Sequence, residues 1–186
     1  MSKKWGISSR RIALLCEQER IDGVIKKGKT AILLVPEITL TMQIVNRFYE
    51  WFGSDVAIFH SALSNGEKYD EYLKIMRQEV KVVVGTRSAI FTPLKNIGII
   101  IIDEEHDGSY KSDMSPKYDA KEVADRICQI YKAPLLLGSA TPAINTYYKA
   151  KMGKIELLEM KKRAKNATMP DIEIIDLIDN PIKDGF

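Results

Sequence analysis

The chain has little cysteine, little histidine and no long apolar run. Its 186 residues include two cysteines, Cys16 and Cys128, and two histidines, His60 and His106. The cysteines stand far apart, a spacing that gives neither a zinc-ligand pattern nor a disulfide framework, so no zinc site is expected and a reducing compartment is. No apolar stretch approaches the roughly 20 residues of a membrane-spanning helix. The basic start, MSKKWGISSRR, has no hydrophobic segment behind it, unlike a signal peptide. A cytoplasmic location without a membrane partner is the expectation. Strong charge of one sign is missing too. Lys plus Arg number 28 against 25 Asp plus Glu, a balance that permits nucleic-acid binding without indicating it. No internal repeat is evident.

What the chain does have is a series of strand-length apolar runs separated by helical patterns. Strands are expected at Ala31–Val35, Val56–Phe59, Lys81–Val84, Gly98–Ile102 and Leu135–Leu137, with a further edge strand at Ile155–Leu158. Helices are expected at Thr41–Phe52, with Ile44, Val45, Phe48, Trp51 and Phe52 on one face, and at Ser64–Met76, with Leu73 beside Tyr69 and Met76. A third covers Lys117–Tyr131, turning Val123, Ala124, Ile127, Cys128 and Tyr131 inward, and a short fourth covers Ala143–Met152. Gly53 ends the first of these. Such alternation implies right-handed crossovers and a mostly parallel sheet with helices on both faces, an α/β domain. Ahead of it, Arg10–Lys27 reads as a helix with Ile12, Leu15, Cys16, Val24 and Ile25 inward. Behind it, the basic run Lys161, Lys162, Arg163 and Lys165, then Pro170 and the strand-like Ile172–Leu177, reads as a linker leaving the domain. The chain thus divides into an N-terminal helical segment (1–29), an α/β domain (30–160) and a linker with one strand (161–186).

The octet IIIIDEEH, Ile99 to His106, is the most informative stretch. Four isoleucines suit a strand covered on both faces, and acids at its C-terminal end lie where open α/β folds bind ligands. A nucleotide motor needs one acid there for Mg²⁺ and a second to orient water. It also needs a phosphate cradle. Gly23 to Thr30, GVIKKGKT, satisfies the usual pattern, so Gly28, Lys29 and Thr30 are the formal cofactor-binding candidates. The order around them is reversed: a helix precedes and a strand follows, whereas a cradle needs a strand before it and a helix N-terminus behind it. The reading that fits this order is a helix ending at Gly28 and turning into a strand, with Lys26, Lys27 and Lys29 solvated.

Taken together, the motifs VPEITLT (35–41), FHSALSNGE (59–67), GTRSAIF (85–91), IIDEEHDGSYK (101–111), PKYDAKEVA (116–124) and GSATPA (138–143) resemble the PriA family of primosomal replication-restart helicases. These are bacterial superfamily 2 DNA helicases of the DExH type. The resemblance covers roughly residues 30–179 and implies the first RecA-like motor domain, a three-layer P-loop NTPase-like fold with its N-terminal part incomplete. It implies an ATP- and Mg²⁺-dependent DNA helicase, a nucleotide-binding hydrolase of primosome assembly in DNA replication. Its partners are single-stranded or forked DNA and replication-restart proteins. The family also has a strand entering a true phosphate loop, a second motor domain, a zinc region and N-terminal DNA-binding domains, none of which this sequence supplies. The expectation is therefore a fragment with negligible hydrolysis of its own. The alternatives are a non-catalytic remnant that binds single-stranded DNA weakly and a product without function.

Residue by residue, the resemblance implies that Asp103 binds Mg²⁺, that Glu104 activates water and that His106 links the nucleotide state to the next motif. Ser139, Ala140 and Thr141 match the SAT element that couples ATP and DNA sites; a strand end with a helix cap is compatible with that role. Pro36, Glu37, Thr39, Gly85, Thr86 and Arg87 match the DNA-side motifs, where backbone amides, hydroxyls and Arg87 hold phosphates without reading bases. Arg87 in a surface ion pair is the other possibility. Asp107 to Tyr118 matches an aromatic-rich loop coupling DNA to hydrolysis. There Tyr110 and Tyr118 offer stacking faces and Lys111 and Lys117 phosphate contacts, unless the tyrosines pack on the domain. His60 is read as fixing its loop.

Overall fold

The computed structural model describes residues 4–5, 20–60 and 63–159. Among them, six strands form one sheet: β1 (Lys4–Trp5), β2 (Thr30–Leu34), β3 (Val56–Phe59), β4 (Val82–Gly85), β5 (Ile97–Ile102) and β6 (Leu135–Leu137). Their spatial order is β1-β6-β5-β2-β4-β3, and every pairing is parallel. The helices are α1 (Arg20–Ile25), α2 (Met42–Phe52), α3 (Asn65–Met76), α4 (Ala120–Tyr131) and α5 (Ile144–Lys151).

Side chains alternate across each strand, so a sheet covered on both sides needs apolar residues at every position. Ile32, Leu34, Val83, Ile100 and Ile102 share one core with Ile75 of α3 and Ala124 and Cys128 of α4. Ala31, Leu33, Val82, Val84, Ile101 and Leu136 share the other with Ile21 of α1 and Val45 and Phe48 of α2. That makes three layers. The register brings the strand ends to one level: Leu34 pairs with both Gly85 and Ile102, Phe59 with Gly85, and Ile102 with Leu137. Every motif loop but the last stretch of the aromatic-rich one therefore starts from a common edge.

Local chemistry sets the element ends. Gly53 closes α2 at φ +55°, a conformation that costs glycine nothing. Ser64 and Glu67 form a reciprocal capping box on α3. The Asp119 carboxylate accepts the Lys121 N–H at 2.8 Å at the start of α4. Phe48 packs edge-on to Trp51, with centroids 5.6 Å apart.

Several expectations need correction. The segment before Thr30 is not wholly helical, because Lys4–Trp5 forms β1 beside β6. β1 stands at the end of the described sheet, beyond β6. Ile12, Leu15 and Cys16 lie outside the described residues, as does Ile172–Leu177; of the helix expected at Arg10–Lys27, the described part is α1. The buried side chains of α3 are Glu71 and Ile75, and Glu71 accepts the Ile58 N–H of the edge strand β3 at 3.2 Å. Tyr131 is exposed on α4, and residues 155–158 form no strand. Among the described residues no helix is long and apolar enough to cross a membrane.

Candidate active site

Asp103 follows β5 directly, and its N–H donates to the Leu34 carbonyl at 2.9 Å, continuing the ladder to β2. Its side chain is 1% exposed, and its Oδ1 has no hydrogen-bond partner. Burial, aided by the neighbouring Glu104 carboxylate, pushes Asp103 up to about 7. A buried oxygen without a donor, on a carboxylate that resists ionisation, suits a divalent cation, whose charge would offset both penalties. Magnesium accepts such a single carboxylate, since it keeps several waters and takes phosphate oxygens for the rest.

Glu104 sits at φ +43°, left-handed backbone that is costly for a side chain with a Cβ and recurs at functional sites. The turn splits the acids: Asp103 and Glu105 are buried, while Glu104 stays partly exposed and His106 exposed. His106 Nδ1 lies 2.7 Å from Ser139 Oγ and 3.6 Å from Glu104 Oε2. Ser139 Oγ also accepts the Thr141 N–H at 3.0 Å. The structure thus brings Asp103, Glu104 and His106 together with Ser139 and Thr141; Ala140, between them, is exposed.

On the same edge, Pro36 is buried and its carbonyl accepts the Thr39 N–H at 3.0 Å, leaving Glu37 outward and Thr39 partly exposed. Gly85 has a steric reason: a Cβ there would lie 2.7 Å from the Phe59 carbonyl oxygen and from Ala89 Cβ. Thr86 and Arg87 follow, and the Arg87 guanidinium donates to the Ser109 carbonyl at 3.1 Å and to that of Lys111. It also lies 5.6 Å from the Tyr118 ring centroid, close enough for a cation–π contact. Phe91, 56% exposed, packs edge-on to Tyr118 at 4.8 Å. Arg87, Tyr118 and the Lys111 backbone are therefore one cluster.

Tyr110 is the main correction. Expected to stack on bases, it is 0% exposed and belongs to the core. Its hydroxyl is within reach of the Asp103 and Leu34 carbonyls, at 2.5 and 3.2 Å. Burial, then the surrounding carboxylates, raises its phenol beyond the ordinary range. Glu105 and Lys121 were also missed; the only signal was a third acid in DEEH and a cation at the second residue of the next helix.

Gly28, Lys29 and Thr30 are not at this edge. Thr30 opens β2 and pairs with Ile97 at the start of β5, roughly 15 Å from the acids at the usual rise per residue. The helix, turn and strand order read from sequence is the order present. Gly98 makes room for this turn, since a Cβ there would meet Val24 and Lys29 within 3 Å. Calorimetry is expected to show no MgATP binding that depends on Lys29; a micromolar signal abolished by Lys29→Ala would return the triple to the nucleotide site.

Residues 12–150 match the family model described as DEAD/DEAH box helicase. The chain is 54% identical over 159 residues to the replication restart protein PriA of Bacillus subtilis, covering 86% of this chain and 20% of that protein. To the replication restart protein PriA of Synechocystis it is 43% identical over 156 residues, covering 81% and 19%. It spans about a fifth of the length of these relatives. In fold it is similar to the DUF1998 helicase MrfA, solved bound to DNA and AMPPNP, with TM-score 0.56 at 15% identity over 86% of this chain and 25% of that one.

Proposed function

Since the chain belongs to the DEAD/DEAH box helicase family, we propose that it is a fragment of an ATP-dependent 3′–5′ DNA helicase of replication restart, part of its first motor domain. Its partners are single-stranded or forked DNA and, in a longer protein, replication-restart proteins. The observation that carries this reading is the bond between His106 and Ser139, which joins the acidic strand end to the SAT segment on the edge shared with Arg87 and Thr86.

Bound MgATP supplies the phosphoryl group whose loss changes the charge at this edge. Asp103 would hold the Mg²⁺, and Glu104, partly exposed beside it, would orient water. His106 senses charge there through Glu104 and passes it to Ser139. On the DNA side, Thr86, Thr39 and Arg87 hold phosphates, and Tyr118 with Lys111 and Lys117 supports a base and its backbone. Such binding ignores sequence and weakens with salt.

A second reading, a non-catalytic domain that binds single strands, is favoured by the distance of Lys29 from Asp103. Steady-state hydrolysis with and without single-stranded DNA separates the two. The DNA surface itself is tested by fluorescence anisotropy. Affinity is expected to fall steadily with salt, and Arg87→Ala to weaken it by about 1 kcal/mol while lowering the salt slope by about one. An unchanged slope in Arg87→Ala would remove the GTR motif from the DNA surface.

A further inference from the structure

Glu105 is the least exposed carboxylate of the acidic edge together with Asp103, at 1%, yet it is fully engaged. Its Oε1 accepts the Ala143 N–H at 2.7 Å. Its Oε2 accepts the Thr146 hydroxyl at 3.0 Å and the Lys121 ammonium at 3.1 Å. Lys121 also donates to the Glu105 carbonyl at 2.9 Å, and the Glu105 N–H donates to the Gly138 carbonyl at 2.8 Å. One residue thus grips both ends of the segment between β6 and α5: Gly138 through its main chain, Ala143 through its side chain.

Two further facts make that grip matter. Helix α5 has no buried side chain and its N-cap, Ala143, makes no side-chain cap, so packing and local capping do little to fix its start. A carboxylate at that end faces orphan N–H groups and the positive end of the helix dipole. A buried charge is tolerated only when paired and hydrogen-bonded, and Lys121, whose own amide is fixed by Asp119, provides the pairing.

We propose that Glu105 is a positioning residue that holds the Ser139–Thr141 segment against His106, with Lys121 as its counter-charge. The SAT segment is then attached to the acidic strand at two points, the His106–Ser139 bond and the Glu105 clamp. The proposal deepens the helicase reading by naming what keeps the coupling element in register. Its test uses neither nucleotide nor DNA, so its failure is separate from failure of that reading.

Two variants of the full chain are compared with the parent. Glu105→Gln keeps an acceptor for Ala143 but removes the charge facing Lys121. Glu105→Leu combined with Lys121→Met removes the ion pair and keeps side-chain volume, an exchange that buried pairs often tolerate, but leaves no acceptor for Ala143. Native-state amide exchange followed by NMR should show the Thr141 and Ala143 amides of the double variant exchanging about tenfold faster, with β2 and β5 unchanged. In Glu105→Gln the rise should stay within about threefold. The His106 Nδ1 resonance should move toward an unbonded imidazole only in the double variant. Unchanged exchange at the Thr141 and Ala143 amides in the double variant would overturn the proposal. So would a rise shared equally by all amides, the mark of a merely stabilising ion pair.

Discussion

Asp103→Asn should make the protein more stable at pH 8, by on the order of 4 kcal/mol, and change it little at pH 4. Asp103 is pushed up to about 7 by burial first and by Glu104 second, whereas an unfolded aspartate titrates near ~3.9. Between those values the folded chain keeps a proton that the unfolded chain has released. The unfolded state therefore binds fewer protons, and this group's contribution falls as pH rises from about 4 to about 7, then stays flat. Asparagine has the same shape and no charge to desolvate, so it escapes the loss. Urea unfolding of both proteins at pH 4, 6 and 8 gives the difference directly, with other titrating groups cancelling in the comparison. Equal stabilities at pH 8 would mean that the Asp103 carboxylate is hydrated, and that its oxygen does not await a cation. The same strain is what a bound Mg²⁺ ion would relieve.

Much of the sheet was legible because strands buried on both faces leave continuous apolar runs: AILLV, VAIF, VVV, IIII and LLL all mark strands. The motif loops were legible for a related reason, since polar residues directly after such runs fall at the strand ends. The geometry of Asp103, His106 and Ser139 follows from two such ends lying side by side. What escaped had no periodic signature. A two-residue strand such as Lys4–Trp5 is too short to show one, and only pairing with β6 defines it. The third acid of DEEH looks like its exposed neighbour in sequence. The αL turn at Glu104 is what sends Glu105 inward toward Lys121, and that turn depends on tertiary contacts rather than on residue preference. Tyr110 was misjudged because a stretch rich in Gly, Ser and Asp suggests a mobile loop. The Asp107 side chain, accepting the Ser109 N–H at 2.7 Å, instead folds that stretch into a single tight turn that delivers the ring to the core.

The cost of removing that ring should be large, since it is one of the largest fully buried side chains among the described residues. Tyr110→Ala is expected to destabilise the chain by about 3–5 kcal/mol, as large aromatic truncations in cores do. Tyr110→Phe should cost about 1 kcal/mol, for the hydroxyl that bonds the Asp103 and Leu34 carbonyls. Neither change removes a surface on which a base can stack. Tyr110→Phe should therefore bind single-stranded DNA with unaltered affinity, while Tyr118→Ala should lose roughly 1–3 kcal/mol of stacking, together with the stability of its packing on the core and on Phe91. The two tyrosines of the loop thus divide the work. Tyr110 ties the loop to the ends of β2 and β5, and Tyr118 is the one expected to meet DNA. Urea unfolding and anisotropy on the three variants test the division together. If Tyr110→Ala keeps its stability and loses DNA affinity, the ring leaves the core to meet the strand, and the loop is a moving part rather than an anchored one.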